Sequence, residues 1–281
     1  MSKVHTGVAG LPRRAVMKLL AAASIGSAAA TGSASGDGRT STHSYEVVQG
    51  DRTHEIQPLS GDVPVEEFYD LRIPDRYVGD NGATDPGSGP YYVSAGTRYL
   101  QRESTTLTFL YDGPNGLSLV IVHDAEGGDG GSATMRFSGT LDGARWRVKD
   151  DLYIDPDTGE EQNFDRWRTD RVDWTWSYRR GDGGVLGYLA DALDLTIHPA
   201  FNEDAALFEE HYSGTIDAWQ FLTGDRDEPD RIRLRLDEPI EVRRRATDDE
   251  EKDTDRDRDR DDDNDEEKDR DRDRDRDDDD D

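Results

Sequence analysis

The feature that most constrains the fold of this chain is a pair of apolar runs rich in β-branched residues. Residues 105–111 read TTLTFLY, residues 117–123 read LSLVIVH, and the segment between them reads DGPNG. Runs of this length and composition are typical of β-strands, and Asp, Gly, Pro and Asn supply the backbone conformations that tight turns need. The sequence therefore predicts a strand–turn–strand unit in the middle of the chain.

Segments of similar character recur along the chain and indicate the fold class. They lie at residues 45–48, 54–56, 133–139, 144–148, 172–178, 193–197, 218–222, 232–236 and 240–242. About ten short strands separated by turn residues predict a mainly β fold, an antiparallel β-sandwich or jelly-roll-like single domain. We expect at most one or two short helices. One is a single turn at residues 65–69, and the other lies at residues 202–211 with Asn202 as its N-cap.

Composition divides the 281 residues into three regions. Residues 1–36 form an N-terminal leader, and residues 37–246 carry enough apolar side chains for one β-rich globular domain. Residues 247–281 are almost purely Asp, Glu, Arg and Lys with no apolar residue, so we expect a disordered tail. This tail repeats the pattern DEEKDxDRDRDRDDDx twice but has no Gly for a calcium-loop turn, which favours a solvated spacer over weak, diffuse cation binding.

The leader indicates the compartment. Arg13 and Arg14, followed by AVMK, resemble a twin-arginine export signal except that Pro12 precedes the pair. The apolar run at residues 19–30 is shorter than the roughly 20 residues that a spanning helix needs. Because the chain has no Cys, it can have neither a lipid anchor on Cys nor a disulfide. We therefore expect export by the twin-arginine machinery, an extracellular or cell-surface location and no stable membrane anchor.

The charge of the chain indicates its environment. It has 64 acidic and 35 basic residues, and between the leader and the tail Lys149 is the one lysine. Acidic excess with few lysines and retained arginines resembles the proteins of extreme halophiles, in which molar salt screens the self-repulsion. Such a negative chain lacks the basic surface that phosphate contacts need, so nucleic acid is excluded as a partner.

The sequence contains no G-x-S-x-G, H-E-x-x-H or P-loop motif. His123 and Asp124 end a predicted strand; they could begin a hydrolytic site with a distant Ser, but a hydrogen-bonded histidine at a strand end is the favoured interpretation. Residues 150–184 are dense in Asp and Gly, the residues that supply oxygen ligands to hard cations. The candidate calcium ligands are Asp150, Asp151, Asp155, Asp157 and Asp182; the alternative is an ordinary acidic surface with a tight turn.

Two tryptophans lie close to these acids in the sequence. Trp174 and Trp176 stand two positions apart in a predicted strand, so their side chains point to the same face. An exposed pair would resemble a ligand platform for sugars, whereas a buried pair belongs to the core. Burial is the favoured interpretation because large aromatic side chains dominate protein cores.

Several phrases of the domain resemble a group of secreted proteins of halophilic archaea. They are VEEFYD at residues 65–70, LYDGPNGLSLVIVHD at 110–124, WRVKDD at 146–151, DWTW at 173–176, DGG at 182–184 and IHPAFNE at 197–203. This resemblance supports the expected habitat and the single domain, and it implies no known activity.

Two functions follow as expectations. The first is an exported, halophile-adapted, non-enzymatic β-sandwich that acts as a binding or structural module, stabilised by calcium, with a cell-surface glycan or surface-layer protein as partner. The second is a secreted hydrolase of polysaccharide or another polymer, with a carboxylate pair drawn from Asp150, Asp151, Asp173 and Asp182.

Overall fold

The computed structural model describes residues 44–74, 81–85, 87–89, 92–154, 157–158, 161–162, 164–190 and 192–245. The leader with Arg13 and Arg14, the tail at residues 247–281 and the candidate ligand Asp155 lie outside the described residues. Within them the fold is mainly β, as predicted, with one short α-helix. In this part of the chain no helix is both long and apolar enough to cross a membrane.

The elements follow one another as β1 (Tyr45–Gln49), β2 (Arg52–Ile56), β3 (Leu59–Ser60), α1 (Val65–Tyr69), β4 (Leu71–Arg72), β5 (Val93–Ser94), β6 (Thr105–Gly113), β7 (Gly116–His123), β8 (Gly131–Gly139), β9 (Arg145–Lys149), β10 (Tyr153–Ile154), β11 (Glu161–Gln162), β12 (Arg166–Arg168), β13 (Arg171–Trp176), β14 (Asp182–Gly187), β15 (Asp194–Phe201), a 3₁₀ turn (Asn202–Asp204), β16 (Ala218–Thr223), β17 (Asp230–Leu234) and β18 (Ile240–Arg244).

Sheet A is antiparallel throughout and has the strand order β12–β13–β8–β15–β18–β1–β2. Its first and last long strands are neighbours, with Tyr45 of β1 opposite Arg244 of β18. Small residues of β8 face the indoles of β13: Ala133 lies opposite Trp174 and Gly131 opposite Trp176. A Cβ atom on Gly131 would lie 2.8 Å from the Trp176 ring, so this register needs glycine there.

Sheet B has the order β17–β16–β6–β7–β14–β9, with β3 beside β6. The predicted strand–turn–strand unit is confirmed as the β6–β7 hairpin, in which Gly113 pairs with Gly116. Strand β6 also pairs in parallel with β16 and with β3, while the other pairs of this sheet are antiparallel. Two parallel pairings are therefore added to the predicted antiparallel sandwich.

The described residues of the domain form two hydrophobic clusters, one on each face of sheet B. The first fills the space between the two sheets and includes Leu119 and Ile121 of β7 with Trp174 and Trp176 of β13. The second packs the opposite face of sheet B against the segment that carries α1, β4 and β5, which we call the cover. Because the middle of sheet B is buried on both faces, its strands β6 and β7 read as nearly continuous apolar runs.

The prediction of a helix at residues 202–211 is wrong. A 3₁₀ turn spans Asn202–Asp204, and turns follow. Asn202 has φ of 57°, and its side-chain amide bonds both the N–H and the C=O of Ile216 at 2.7 and 3.0 Å. The amide therefore closes the loop at residues 205–216 and does not cap a helix.

Candidate functional site

Four buried or partly buried carboxylates gather at one end of sheet B, and we call them the acid cluster: Asp150, Asp151, Asp165 and Asp182. Asp150 and Asp151 follow β9, and Asp182 begins the neighbouring strand β14. The Asp150 N–H donates to the Gly183 carbonyl at 3.2 Å, which extends the β9–β14 pairing to the cluster. Asp165 comes from sheet A, just before β12.

Each carboxylate oxygen of Asp150 accepts one hydrogen bond. Its Oδ2 accepts from the hydroxyl of buried Tyr69 at 2.9 Å, and its Oδ1 accepts from the Asp151 N–H at 3.1 Å. Tyr69 ends α1 in the cover, so this bond ties the cover to sheet B. Gly183 leaves the space for it, because a Cβ atom there would lie 2.8 Å from the Tyr69 hydroxyl oxygen.

Asp165 and Asp182 each leave one buried oxygen without a partner. The Oδ1 of Asp165 accepts from the Thr175 N–H at 2.9 Å, and the Oδ1 of Asp182 accepts from the Gly183 N–H at 2.6 Å. The Oδ2 atom of each side chain has no hydrogen-bond partner, although Asp165 is 7% exposed and Asp182 only 1%. A buried acceptor without a donor costs stability unless a proton or a cation satisfies it.

Asp151 differs from the other three because its residue is only partly buried and its backbone is left-handed, with φ of 64°. Burial raises its pKa to about 7, and the nearby Arg180 guanidinium offsets part of that rise. Asp151 is thus the acid of the cluster nearest to solvent and to a positive charge.

Burial and mutual repulsion raise the pKa values of the remaining acids. Burial is the larger cause for Asp150, followed by the charge of Asp151. Burial is also the largest cause of the raised pKa values of Asp165 and Asp182. The next largest cause is the charge of Asp151 for Asp165 and the charge of Asp165 for Asp182. Four carboxylates in one apolar environment cannot all ionise without a compensating charge.

The loop at residues 205–216 docks beside the cluster. His211 stacks on Phe164 with ring centroids 3.8 Å apart, and Glu210 pairs with Arg166 at 3.2 Å. Tyr212 of this loop lies near enough to Asp151 for that charge, after burial, to raise the pKa of its phenol. Phe164, which precedes Asp165, remains 51% exposed beside this loop.

The structure brings together three of the five predicted ligands: Asp150, Asp151 and Asp182. Asp157 is exposed, and Asp155 lies outside the described residues. Asp165 was absent from the predicted set, and a sequence signal for it is weak because Asp is abundant throughout the chain.

The interpretation of Trp174 and Trp176 as a ligand platform is wrong, because both side chains are fully buried between the sheets. Trp176 stacks on His123 with ring centroids 4.9 Å apart, and Trp174 contacts the same imidazole at a tilt, with centroids 4.7 Å apart. His123 Nδ1 lies 2.8 Å from the Thr106 hydroxyl oxygen, as expected for a hydrogen-bonded histidine at a strand end. Burial lowers the pKa of His123 to about 3, so the ring is neutral.

Asp124 is a structural residue of the β7–β8 connection. Its carboxylate accepts from the N–H groups of Ser104, Ala125 and Gly130 at 2.8, 2.9 and 3.2 Å. It also accepts from the indole N–H of Trp176 at 3.2 Å. The Gly-rich segment at residues 127–131 crosses from sheet B to sheet A beside this carboxylate.

Asp173, an acid named for the hydrolase alternative, has its own partners, although its charge also contributes to the raised pKa of Asp165. Its Oδ1 accepts from the Thr134 hydroxyl and the Arg171 guanidinium, each at 2.8 Å. Strand alternation turns it to the face opposite Trp174. Among the described residues, no three His, Asp or Glu side chains already have the arrangement of a metal site.

Comparisons with protein-family models, with curated proteins and with solved structures found no match to this chain.

Proposed function

We propose that this protein is an exported, non-enzymatic β-sandwich that acts as a binding or structural module, and that a hard cation such as calcium stabilises the end of the sandwich at the acid cluster. The observation that carries the proposal is the pair of buried, unpartnered Oδ2 atoms of Asp165 and Asp182. Carboxylate oxygens are the ligands that calcium prefers, and these two have no other partner.

A cation at this place needs some rearrangement. Asp165 and Asp182 supply the open oxygens, and Asp151 is the partly exposed acid that can turn toward them. Asp150 contributes less because its two oxygens already accept from Tyr69 and the backbone. Water supplies the further oxygens of the six to eight that calcium takes.

Protons are the competing way to neutralise the cluster, and the two differ in pH dependence. Bound protons are lost as the pH rises through the raised pKa values, so stability falls toward neutral pH. A bound cation is retained at neutral pH and competes with protons at low pH. Stability around pH 8 therefore depends on calcium only if the cation proposal is correct.

The test is thermal unfolding of the full chain in molar salt at about pH 8, with calcium and then with chelator. We expect calcium to raise the melting midpoint and the Asp165→Asn/Asp182→Asn double variant to lose that rise. Asp142→Asn, at an exposed turn, is the matched control and should keep it. If the melting midpoint of wild-type protein is the same with calcium as with chelator, the cation proposal is wrong.

A hydrolase is the second candidate because Asp151 is partly exposed, has a left-handed backbone and lies near Arg180, which lines a surface depression. Strained backbone at an acid next to a cavity is typical of functional sites. In this case Asp151 would act on a polymer, and Asp151→Asn would abolish release of new chain ends from polysaccharides. If wild-type protein releases no new chain ends from neutral or acidic polysaccharides, the hydrolase is contradicted and the binding module is the remaining function.

A further inference from the structure

The turn at residues 177–181 between β13 and β14 presents three neighbouring side chains to solvent. Tyr178 is 60% exposed, and Arg179 and Arg180 follow it directly. The three, with Glu126 from the β7–β8 connection, line a depression of about 400 Å³. In a chain with a net charge of −29, the two adjacent arginines place positive charge beside an exposed aromatic ring.

The backbone of this turn is fixed by its neighbours. Arg179 has φ of 63°, a conformation that non-Gly residues seldom adopt, and its N–H donates to the Gly128 carbonyl at 2.7 Å. Gly130 packs against the turn so closely that a Cβ atom there would lie 2.9 Å from the Tyr178 nitrogen. Strain held in place by close packing is a recurrent property of ligand sites.

The side chains supply two kinds of recognition. The Arg179 guanidinium lies 5.5 Å from the centroid of the Tyr178 ring, so the ring and the positive charge are adjacent. An exposed phenol ring offers an apolar face for a sugar ring, and a guanidinium binds a carboxylate through two parallel hydrogen bonds. Glu126, held by Arg98 at 3.4 Å, adds acceptor oxygens for sugar hydroxyls.

We propose that the turn at residues 177–181 binds a sugar that carries a carboxylate, such as a uronic acid unit of a polysaccharide. The proposal rests on the function of the protein as a binding module and specifies the ligand class. Tyr178 stacks on the sugar ring, and Arg179 and Arg180 pair with its carboxylate.

The site adjoins the acid cluster through Arg180, which also lies close to Asp151. The test therefore changes Tyr178 and Arg179 and leaves Arg180 in place. Arg179→Gly removes the guanidinium and suits the left-handed backbone, so it should not unfold the domain. Tyr188→Ala is the matched control, since Tyr188 is also a partly exposed tyrosine with φ of 60° and an arginine 4.4 Å above its ring.

The experiment measures binding of oligogalacturonate to the full chain by calorimetry in molar salt, where non-specific attraction between charges is screened. We expect wild-type protein and Tyr188→Ala to bind, and Tyr178→Ala and Arg179→Gly each to weaken binding about tenfold or more. A neutral oligosaccharide should bind weakly or not at all.

Three results would overturn the proposal. The first is no binding of oligogalacturonate by wild-type protein. The second is binding by Tyr178→Ala and Arg179→Gly that is as tight as binding by wild-type protein. The third is wild-type binding of a sulfated or a neutral oligosaccharide that is as tight as its binding of oligogalacturonate. The melting response to calcium, measured on the same samples, separates this proposal from the cation proposal. A retained calcium response without sugar binding contradicts only the sugar site, and sugar binding without a calcium response contradicts only the cation.

Discussion

Replacing Asp151 by Asn should stabilise the protein at neutral to alkaline pH when no calcium is present. The substitution keeps the shape of the side chain and removes one negative charge from the acid cluster. Asn is also among the non-Gly residues that best tolerate the left-handed backbone observed here, at φ of 64°. The effect on stability should therefore report charge and not strain.

The size of the effect follows from the pKa of Asp151, which burial raises from 3.8 to about 7. Each pH unit between those values is worth about 1.4 kcal/mol, so the ionised side chain costs the folded state up to about 4 kcal/mol. Linkage fixes the sign: because the folded state holds the Asp151 proton more tightly, the contribution of this group to stability is fully present below about pH 4 and is lost as the pH rises through about 7.

The assay is urea unfolding in molar salt with chelator, at about pH 4 and about pH 8. Asp151→Asn should match wild-type protein at the lower pH and exceed it by up to about 4 kcal/mol at the higher pH, less whatever the partial exposure of Asp151 screens. Asp142→Asn, at an exposed turn, should change stability little at either pH. Equal or lower stability of Asp151→Asn at the higher pH would refute the reasoning.

Other perturbations probe different parts of the molecule. Because burial lowers the pKa of His123 to about 3, its imidazole should stay neutral in NMR spectra of the folded protein from pH 6.5 down to about 3, and stability should fall as the pH falls through that range. A titration near 6.5 in the folded protein would contradict this. Gly183→Ala should cost several kcal/mol in urea unfolding, at least about 3, because its Cβ would lie 2.3 Å from the Ile121 carbonyl oxygen. Gly143→Ala, where nothing lies within 4 Å, should cost only about 1 kcal/mol for its positive φ. Removing residues 247–281 should leave the melting midpoint nearly unchanged, and a large fall would contradict the expectation that the tail is a solvated spacer.

The strands that the sequence revealed best are those buried on both faces. Strands β6 and β7 lie between sheet A and the cover, so nearly every side chain is apolar or β-branched and the pattern is plain. Strand β14 has the same surroundings but was missed, because it reads DGGVLG. The strand contains glycines because its neighbours leave no space for a side chain: a Cβ atom on Gly184 would lie 2.9 Å from the Trp167 ring. Close packing thus removed the side chains on which strand prediction depends.

The candidate site was predictable in part. The density of Asp at residues 150–184 indicated Asp150, Asp151 and Asp182. These residues come together because Asp150 and Asp151 follow β9 and Asp182 begins the neighbouring strand β14. Asp165 depends on the position of sheet A relative to sheet B, which no local pattern encodes. In the same way, alternation shows that Trp174 and Trp176 share a face but does not show which face is buried.

The pairing of β1 with β18 has a consequence for how the chain reaches its native state. Sheet A is continuous only when a strand near residue 45 meets one near residue 244, so β1 and β15 each lack one neighbouring strand until β18 has been synthesised. Contacts of such long sequence separation make folding slow. A product truncated before Ile240 would leave β15 and β1 as open edges over an exposed apolar face, prone to pair with other chains. We therefore expect a chain that lacks β18 to aggregate or to be degraded, because two strand edges of sheet A then have no partner.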